Sequence, residues 1–155
     1  MKRIVLLLTH LGCLAAGFAL GIYALPVLIQ PTSPSMDDVQ TVTNNALYTA
    51  SFQKDRQDSD FLHWGEGSVS ISNDQVAFVG ELAPGPDYKL YFSPTFIETE
   101  ADFNAYKEQM IRVGEVKSFD RFTVNLPQGF DVDEYNTVIV WCETFGQFIT
   151  SARYK

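Results

Sequence analysis

Cysteine is scarce in this sequence, with only two residues, Cys13 and Cys142, in a chain of 155. Cys13 lies in a long apolar run, so Cys142 is the only thiol in the rest of the chain and no disulfide can form there. An unpaired cysteine in an oxidising compartment is usually protected by burial or retained for reactivity or ligation. Val138 and Val140 point the same way as Cys142 on a predicted strand, which indicates burial. Glu143 follows at once, which indicates instead the rim of a sheet.

Histidine is equally scarce, and His63 is the only one outside the apolar run, where His10 lies. One histidine and one cysteine can supply two ligands to a haem iron or a copper ion, but not a common structural zinc set. The alternative is a histidine that caps or bridges backbone at a strand entry. Nucleophile elbows, phosphate loops and zinc-protease helices are all missing from the sequence.

Basic residues are outnumbered, with 11 Lys and Arg against 19 Asp and Glu and a net charge of −8. Such a surface would repel the phosphates of nucleic acid, so no nucleic-acid partner is expected. It also disfavours electrostatic docking on anionic lipid. Solubility is the simplest reason for this charge.

Charge is absent altogether from Ile4 to Ile29, a run of 26 residues. As a helix it would reach about 39 Å, which is enough to cross a bilayer with some tilt. Lys2 and Arg3 precede it, so we expect a single-pass membrane protein whose C-terminal part lies outside the cytoplasm, in the periplasm of a Gram-negative cell. A cleaved signal peptide and a lipoprotein signal ending at Cys13 are the alternatives.

The rest of the chain predicts a mainly β domain. We divide the sequence into a cytoplasmic tip and anchor (1–29), a linker with a short helix (30–46) and a β domain (47–155). Ser35 and Asp38 fit a capping box for a helix over 36–46. Alternating apolar residues then predict strands, and the nearly continuous apolar run at 135–142 predicts a central strand buried on both faces. The predicted strands cover residues 67–72, 75–82, 88–92, 122–126, 135–142 and 148–154.

One segment follows a helical pattern instead. Thr99 and Asp102 suggest a second capping box for a short helix over 100–110. An apolar stripe, which we interpret as core packing, follows at three- and four-residue steps; its members are Phe103, Tyr106, Met110 and Val113. The expected architecture is therefore an antiparallel β-sandwich or partly closed barrel with one short helix, preceded by a transmembrane helix.

Carboxylates could have a functional role at two places, Asp87 and the acidic segment 130–134, but we predict no bound ligand at either. Asp87 follows Gly85 and Pro86, and its carboxylate is expected to accept local backbone N–H groups in a turn. The segment 130–134 has three acidic residues but lacks the oxygen spacing and the glycine of a calcium loop, which indicates a solvated loop.

The region from about Leu47 to Tyr154 resembles the DM-thirteen domain family, which occurs beside DOMON domains in Skeletor-type proteins and alone in bacteria. The most specific part is the strand ending in Trp141-Cys142 with the Gly85-Pro86-Asp87 turn upstream. Tyr88 and Lys89 stand where apolar residues are more typical of the family. The segments that carry the resemblance are 63–71, 85–93, 113–116, 126–127 and 138–142, with Phe145, Phe148 and Ala152.

The resemblance implies an extracytoplasmic β domain acting in electron transfer. Its cysteine, here Cys142, is implied to serve as a free thiol or as ligand to a group such as haem, and His63 falls where the family commonly has a histidine. The cofactor stays open between haem and none, and the expected partners are the membrane and a redox protein. We expect a redox or binding module more than a stand-alone enzyme. The alternative is a non-catalytic binding or scaffolding domain in which Cys142 is a structural core residue.

Overall fold

The computed structural model describes the whole chain, residues 1–155. It contains three α-helices and eight strands, joined by two short 3₁₀ turns at 107–109 and 132–134. The helices are α1 (Lys2–Ile29), α2 (Met36–Asn44) and α3 (Glu100–Tyr106). The strands are β1 (Tyr48–Phe52), β2 (Gly65–Ile71), β3 (Gln75–Leu82), β4 (Tyr88–Ser93), β5 (Ile111–Val116), β6 (Arg121–Asn125), β7 (Thr137–Cys142) and β8 (Gln147–Arg153).

α1 is one long apolar helix at the N-terminus. It is long and apolar enough to cross a membrane, with a mean hydropathy of 2.1 over its best window, a property shared by single-pass anchors and signal sequences. Pro26 is its only buried residue. The helix therefore meets the rest of the protein only near its C-terminal end.

The remaining chain forms a β-sandwich, as the sequence predicts. One antiparallel sheet has the order β1-β2-β3-β6 and the other has the order β5-β4-β7-β8. β7 is buried along its whole length. Val138, Val140 and Cys142 face the main core between the sheets, whereas Ile139 and Trp141 face a smaller aromatic cluster. The prediction of a central strand buried on both faces is thus confirmed.

α2 begins at the predicted capping box. The Ser35 hydroxyl accepts a hydrogen bond from the Asp38 backbone N–H, and the Asp38 carboxylate accepts one from the Ser35 backbone N–H. Val39 and Val42 are the buried face of α2 and pack on Ala77 of β3. The segment before the sandwich therefore lies against the first sheet.

The helix predicted over 100–110 is shorter in the structure: α3 ends at Tyr106, a 3₁₀ turn follows at 107–109, and Val113 lies in β5. The core-packing interpretation of the stripe is confirmed for Phe103, which is buried, and for Met110 and Val113, which are partly buried against the core clusters. It is wrong for Tyr106, which is exposed. The Thr99 hydroxyl accepts a hydrogen bond from the Asp102 backbone N–H, but the Asp102 carboxylate accepts none from the Thr99 N–H, so the predicted second capping box is only half formed. The spacing continued by chance into a strand, because pairing with β4 decides the conformation of residues 111–116. β1, an edge strand paired with β2, was not predicted.

The connections of the sandwich divide into two ends. We call the end formed by residues 53–64, 83–87, 117–120 and 143–146 the anchor end, because α1 packs against it. The opposite end, which we call the distal end, includes residues 72–74 and 126–136. β7 runs from the distal end to the anchor end, so its last residue, Cys142, lies where the sandwich meets α1.

Candidate functional site

A cavity of about 170 Å³ lies between α1 and the anchor end of the sandwich. Its wall on the α1 side is apolar apart from one hydroxyl, and on the sandwich side it includes a thiol, an imidazole and a second hydroxyl. The lining residues are Ala19, Ile22 and Tyr23 of α1, and Leu62, His63, Pro84, Gly85, Pro86, Tyr88, Cys142 and Phe145 of the sandwich. The two site residues predicted from the sequence, Cys142 and His63, therefore line one cavity.

Cys142 is the last residue of β7 and is only 2 % exposed. It pairs with Tyr88 on β4 and with Gln147 on β8, so it is held by a partner strand on each side. It belongs to the main core and also lines the cavity. Burial and a location at the end of the sheet, which the sequence left as alternatives, are both observed.

The surroundings of the Cys142 sulfur favour its neutral form. Burial raises the pKa of the thiol, and backbone N–H groups of Phe145, Asp87 and Thr144 oppose that effect, while the Asp87 carboxylate adds to it. The net pKa is raised, because burial disfavours the charged form more than the amides favour it. Cys142 is therefore a protonated thiol at neutral pH.

Tyr88 faces Cys142 across the pairing of β4 and β7 and also lines the cavity. Its hydroxyl donates a hydrogen bond of 2.7 Å to the Ala83 carbonyl oxygen. Burial raises the pKa of Tyr88 far above its ordinary value, and the neighbouring Cys142 adds to the effect. The side chain is thus a neutral phenol with its proton directed at the 83–87 turn.

The 83–87 turn fits around the Tyr88 ring. A Cβ atom at Gly85 would lie 2.4 Å from the Tyr88 hydroxyl oxygen, so only glycine allows the ring to pack there. The Asp87 carboxylate accepts hydrogen bonds from Lys89 Nζ at 2.7 Å and from Thr144 Oγ1 at 3.0 Å. The expectation that it caps local backbone is wrong, because these side chains reach it from β4 and from the β7–β8 turn. The hydrogen bond from Lys89 lowers the pKa of Asp87.

His63 lies in the loop just before β2. Its Nδ1 atom is 3.0 Å from Asp60 Oδ2, and Asp60 Oδ1 accepts hydrogen bonds from the backbone N–H groups of Leu62 and His63. Burial acts to raise the pKa of Asp60, but the hydrogen bonds from His63 and the backbone outweigh it, so the net pKa is lowered. This arrangement fixes the ring and leaves Nε2 available for a proton or a ligand.

The cavity does not fit a haem. Pockets that enclose a drug-sized ligand have volumes of about 300–1,000 Å³, and the present cavity is smaller, at about 170 Å³. Across the chain, no group of three or more His, Cys, Asp and Glu side chains is placed to hold a metal ion. Cys142 and His63 would suffice as axial ligands of a haem iron, so it is the size of the cavity, and not the number of donors, that argues against a haem.

Two components of the cavity were not identified from the sequence. Tyr88 was predicted only as a strand residue, and α1 only as an anchor. The register that puts Tyr88 opposite Cys142 joins residues 54 positions apart, and a single sequence does not reveal such a pairing. The only sequence signal for the position of Tyr88 was the turn before it, which marks where β4 begins.

Comparison with known proteins finds one family model that matches most of the sandwich. The model of the family described as Electron transfer DM13 matches residues 51–154, which include the seven strands β2 to β8 and the last two residues of β1. No curated protein and no solved structure matches the chain. The match leaves out α1 and α2 but covers more than half of the sequence. The chain therefore belongs to the electron-transfer DM13 family.

Proposed function

We propose that this protein is a membrane-anchored electron-transfer module that works on the outer side of the membrane through Cys142. The observation that carries the proposal is the cavity in which Cys142, Tyr88 and His63 meet against α1. A thiol that served only as packing would need no open volume beside it. The membership of an electron-transfer family gives the class of chemistry.

The orientation of the proposed anchor rests on charge. Lys2 and Arg3 precede the apolar run, and no basic residue follows it until Lys54. Basic residues are retained on the cytoplasmic side, so the sandwich lies outside. There Cys142 has no partner in the chain for a disulfide, because Cys13 is the only other cysteine.

The protonated state of Cys142 sets the chemistry of the step. Loss of one electron from a neutral thiol also releases its proton, so the electron goes to the redox partner and the proton needs an acceptor. His63 Nε2 is the candidate acceptor, because Nδ1 is held by Asp60 and the ring lines the same cavity. The amides of Phe145, Asp87 and Thr144 favour negative charge on the sulfur and so assist the loss of the proton.

A second candidate function is a non-catalytic binding or scaffolding domain at the membrane. It is favoured by the burial of Cys142, which is 2 % exposed and belongs to the main core. On this interpretation Cys142 is a small apolar residue and the cavity is a packing imperfection beneath α1. The two candidates differ in whether the sulfur reacts.

The two candidates are separated by the reversible oxidation of Cys142 in the full-length chain. Purified Cys13→Ser protein in lipid nanodiscs is treated with a mild oxidant and then a reductant, and free thiol, absorption spectrum and metal content are recorded. The redox proposal predicts one thiol that is lost and recovered in full, and no such change in the Cys13→Ser, Cys142→Ala control. A thiol that stays reduced throughout in the folded protein would overturn the proposal and leave the scaffold.

A further inference from the structure

The anchor end carries apolar side chains that the sandwich does not bury. After α1, residues 30–155 have six large apolar residues that are exposed, and three of them, Phe61, Leu62 and Phe145, lie at this end. Of these three side chains, Phe61 is 84 % exposed, Phe145 is 49 % exposed and Leu62 is 37 % exposed. Isolated apolar residues on a surface are common, but a group at one end calls for a contact.

Two of these side chains, Leu62 and Phe145, line cavities where α1 meets the sandwich, and Phe61 precedes Leu62 in the same loop. Leu62 lines the cavity with Ala19, Ile22 and Tyr23. Phe145 lines that cavity and also a neighbouring one with Ile22, Leu25 and Pro26 of α1. The apolar surface of α1 therefore extends onto Leu62 and Phe145 in two loops of the anchor end, while charged side chains lie on another side of the helix end, at Asp87, Lys89, Glu115 and Lys117.

The length of the apolar run fixes the depth of this contact. About 20 helical residues cross the roughly 30 Å hydrocarbon core, whereas the charge-free run has 26. A span that begins at Ile4 reaches the outer boundary near Tyr23, and the last turns of α1 extend beyond it. The sandwich touches α1 on both sides of that boundary, from Ala19 to Pro26.

We propose that Phe61, Leu62 and Phe145 insert into the interface of the outer leaflet and hold the sandwich against the lipid bilayer. This inference rests on the anchoring role and orientation proposed above. The contact is apolar, because a chain of net charge −8 gains nothing from anionic lipid. It places the cavity of Cys142 and His63 at the membrane surface, so a redox partner reaches the thiol from the plane of the membrane.

The depth of the loops is measured by spin labelling of the full-length chain in phosphatidylcholine vesicles. Starting from Cys13→Ser, Cys142→Ala, a single cysteine is introduced as Phe61→Cys or Phe145→Cys and labelled with a nitroxide. Gln128→Cys, in an exposed turn of the distal end, is the matched control, and the parent without a new cysteine must take up no label. Collision with oxygen, which dissolves in lipid, is compared with collision with a water-soluble nickel chelate.

The proposal predicts more oxygen collision than nickel collision at positions 61 and 145, and the reverse at 128. Added salt leaves these ratios unchanged, because charge does not hold the contact. In the chain labelled at 61, Phe145→Asp shifts the label toward water, whereas Gln128→Asp does not. Labels at 61 and 145 that meet nickel as often as the label at 128 would overturn the proposal.

Two further results are informative. Shielding of positions 61 and 145 from both reagents would mean that a second protein surface covers the loops, and it also overturns lipid insertion. A label at Phe18→Cys, on the exposed part of α1, tests the anchor by itself. Oxygen exposure at 18 with water exposure at 61 refutes only the docking, whereas water exposure at 18 refutes the anchor.

Discussion

At the scale of single residues, Cys142 and Tyr88 are the groups whose chemistry depends most on the fold. The scarcity of cysteine was enough to single out Cys142, because the only other cysteine is Cys13 in α1. Its burial followed from the alternation in β7. The neutral state of its thiol could not be predicted from the sequence. It depends on burial, which raises the pKa, and on three backbone amides of the 83–87 and 143–146 loops, which lower it.

The raised pKa of Cys142 predicts a pH dependence of stability. The folded protein holds the thiol proton more tightly than the unfolded chain, whose thiol titrates near its ordinary pKa of about 8.5. Below that pH the thiol is protonated in both the folded and the unfolded state, so it adds no pH dependence to the stability. Above it the unfolded state loses its proton first, so stability falls until the pH passes the folded pKa. The midpoint of thermal unfolding should therefore fall less steeply above pH 8.5 in Cys142→Ala than in the parent.

A control for this prediction is Cys13→Ser, whose side chain is exposed on α1 and should leave the pH profile unchanged. Tyr88, whose pKa is also raised by burial, adds a similar decline above its ordinary value of about 10. Identical slopes for the parent and Cys142→Ala between pH 8.5 and 10 would show that the thiol is not held neutral by the fold.

Removal of the sulfur has a second consequence at this scale. Cys142→Ala leaves a void the size of one sulfur in the core, next to an existing cavity, so the free energy of unfolding should fall by about 1 kcal/mol. Chemical denaturation in detergent measures it. A loss well above that amount would indicate that Cys142 is required for the fold, and redox results on the variant would then need the milder Cys142→Ser.

At the scale of elements, periodicity predicted the strands that are half buried or fully buried. β2, β3, β4, β6, β7 and β8 were placed within a few residues. β1 and β5 were not, although β6 and β8, which also lie at sheet edges, were. In β5 the helical spacing that begins at Phe103 obscured the strand pattern, and pairing with β4 decides the conformation. A glycine inside β5 also weakened its pattern: Gly114 lies against Val124, where a Cβ would approach Cγ1 to 2.5 Å. Edge pairing of this kind is decided by tertiary contacts and not by local spacing.

The 83–87 turn offers a test of how an element positions the site. Gly85→Ala would force a Cβ into the Tyr88 ring, which should cost about 1–3 kcal/mol by overpacking. The displaced ring should also uncover Cys142 and raise its rate of alkylation. Ser68→Ala, on an exposed strand position, is the control. Unchanged alkylation despite lost stability would mean that Tyr88 does not shield the thiol.

At the scale of the whole molecule, α1 and the sandwich form one arrangement, and the cavity of the proposed site lies between them. The sequence predicted each part but not their contact, because no local pattern records that loops at 61–63 and 143–146 meet α1. The family match covers only the sandwich, so α1, as one wall of the cavity, is a feature of this chain's full structure. Its acidic charge of −8 bears on solubility and on partners, not on the fold.

Orientation is a prediction at the same scale. In a Cys13→Ser background, Gln128→Cys should react with a membrane-impermeant maleimide on intact cells as fully as after permeabilisation, since the distal end lies outside. A cytoplasmic protein with an exposed cysteine serves as the control for leakage. Reaction only after permeabilisation would place the sandwich in the cytoplasm and reverse the topology inferred from Lys2 and Arg3.

The central claim is that Cys142 carries electrons, and a mediated redox titration of the full-length chain in lipid nanodiscs tests it most directly. Cys13→Ser protein is compared with Cys13→Ser, Cys142→Ala protein of equal fold by circular dichroism. We expect a reversible transfer of charge in the first that is absent from the second. Equal behaviour of the two proteins, whether both transfer charge or neither does, would contradict the account.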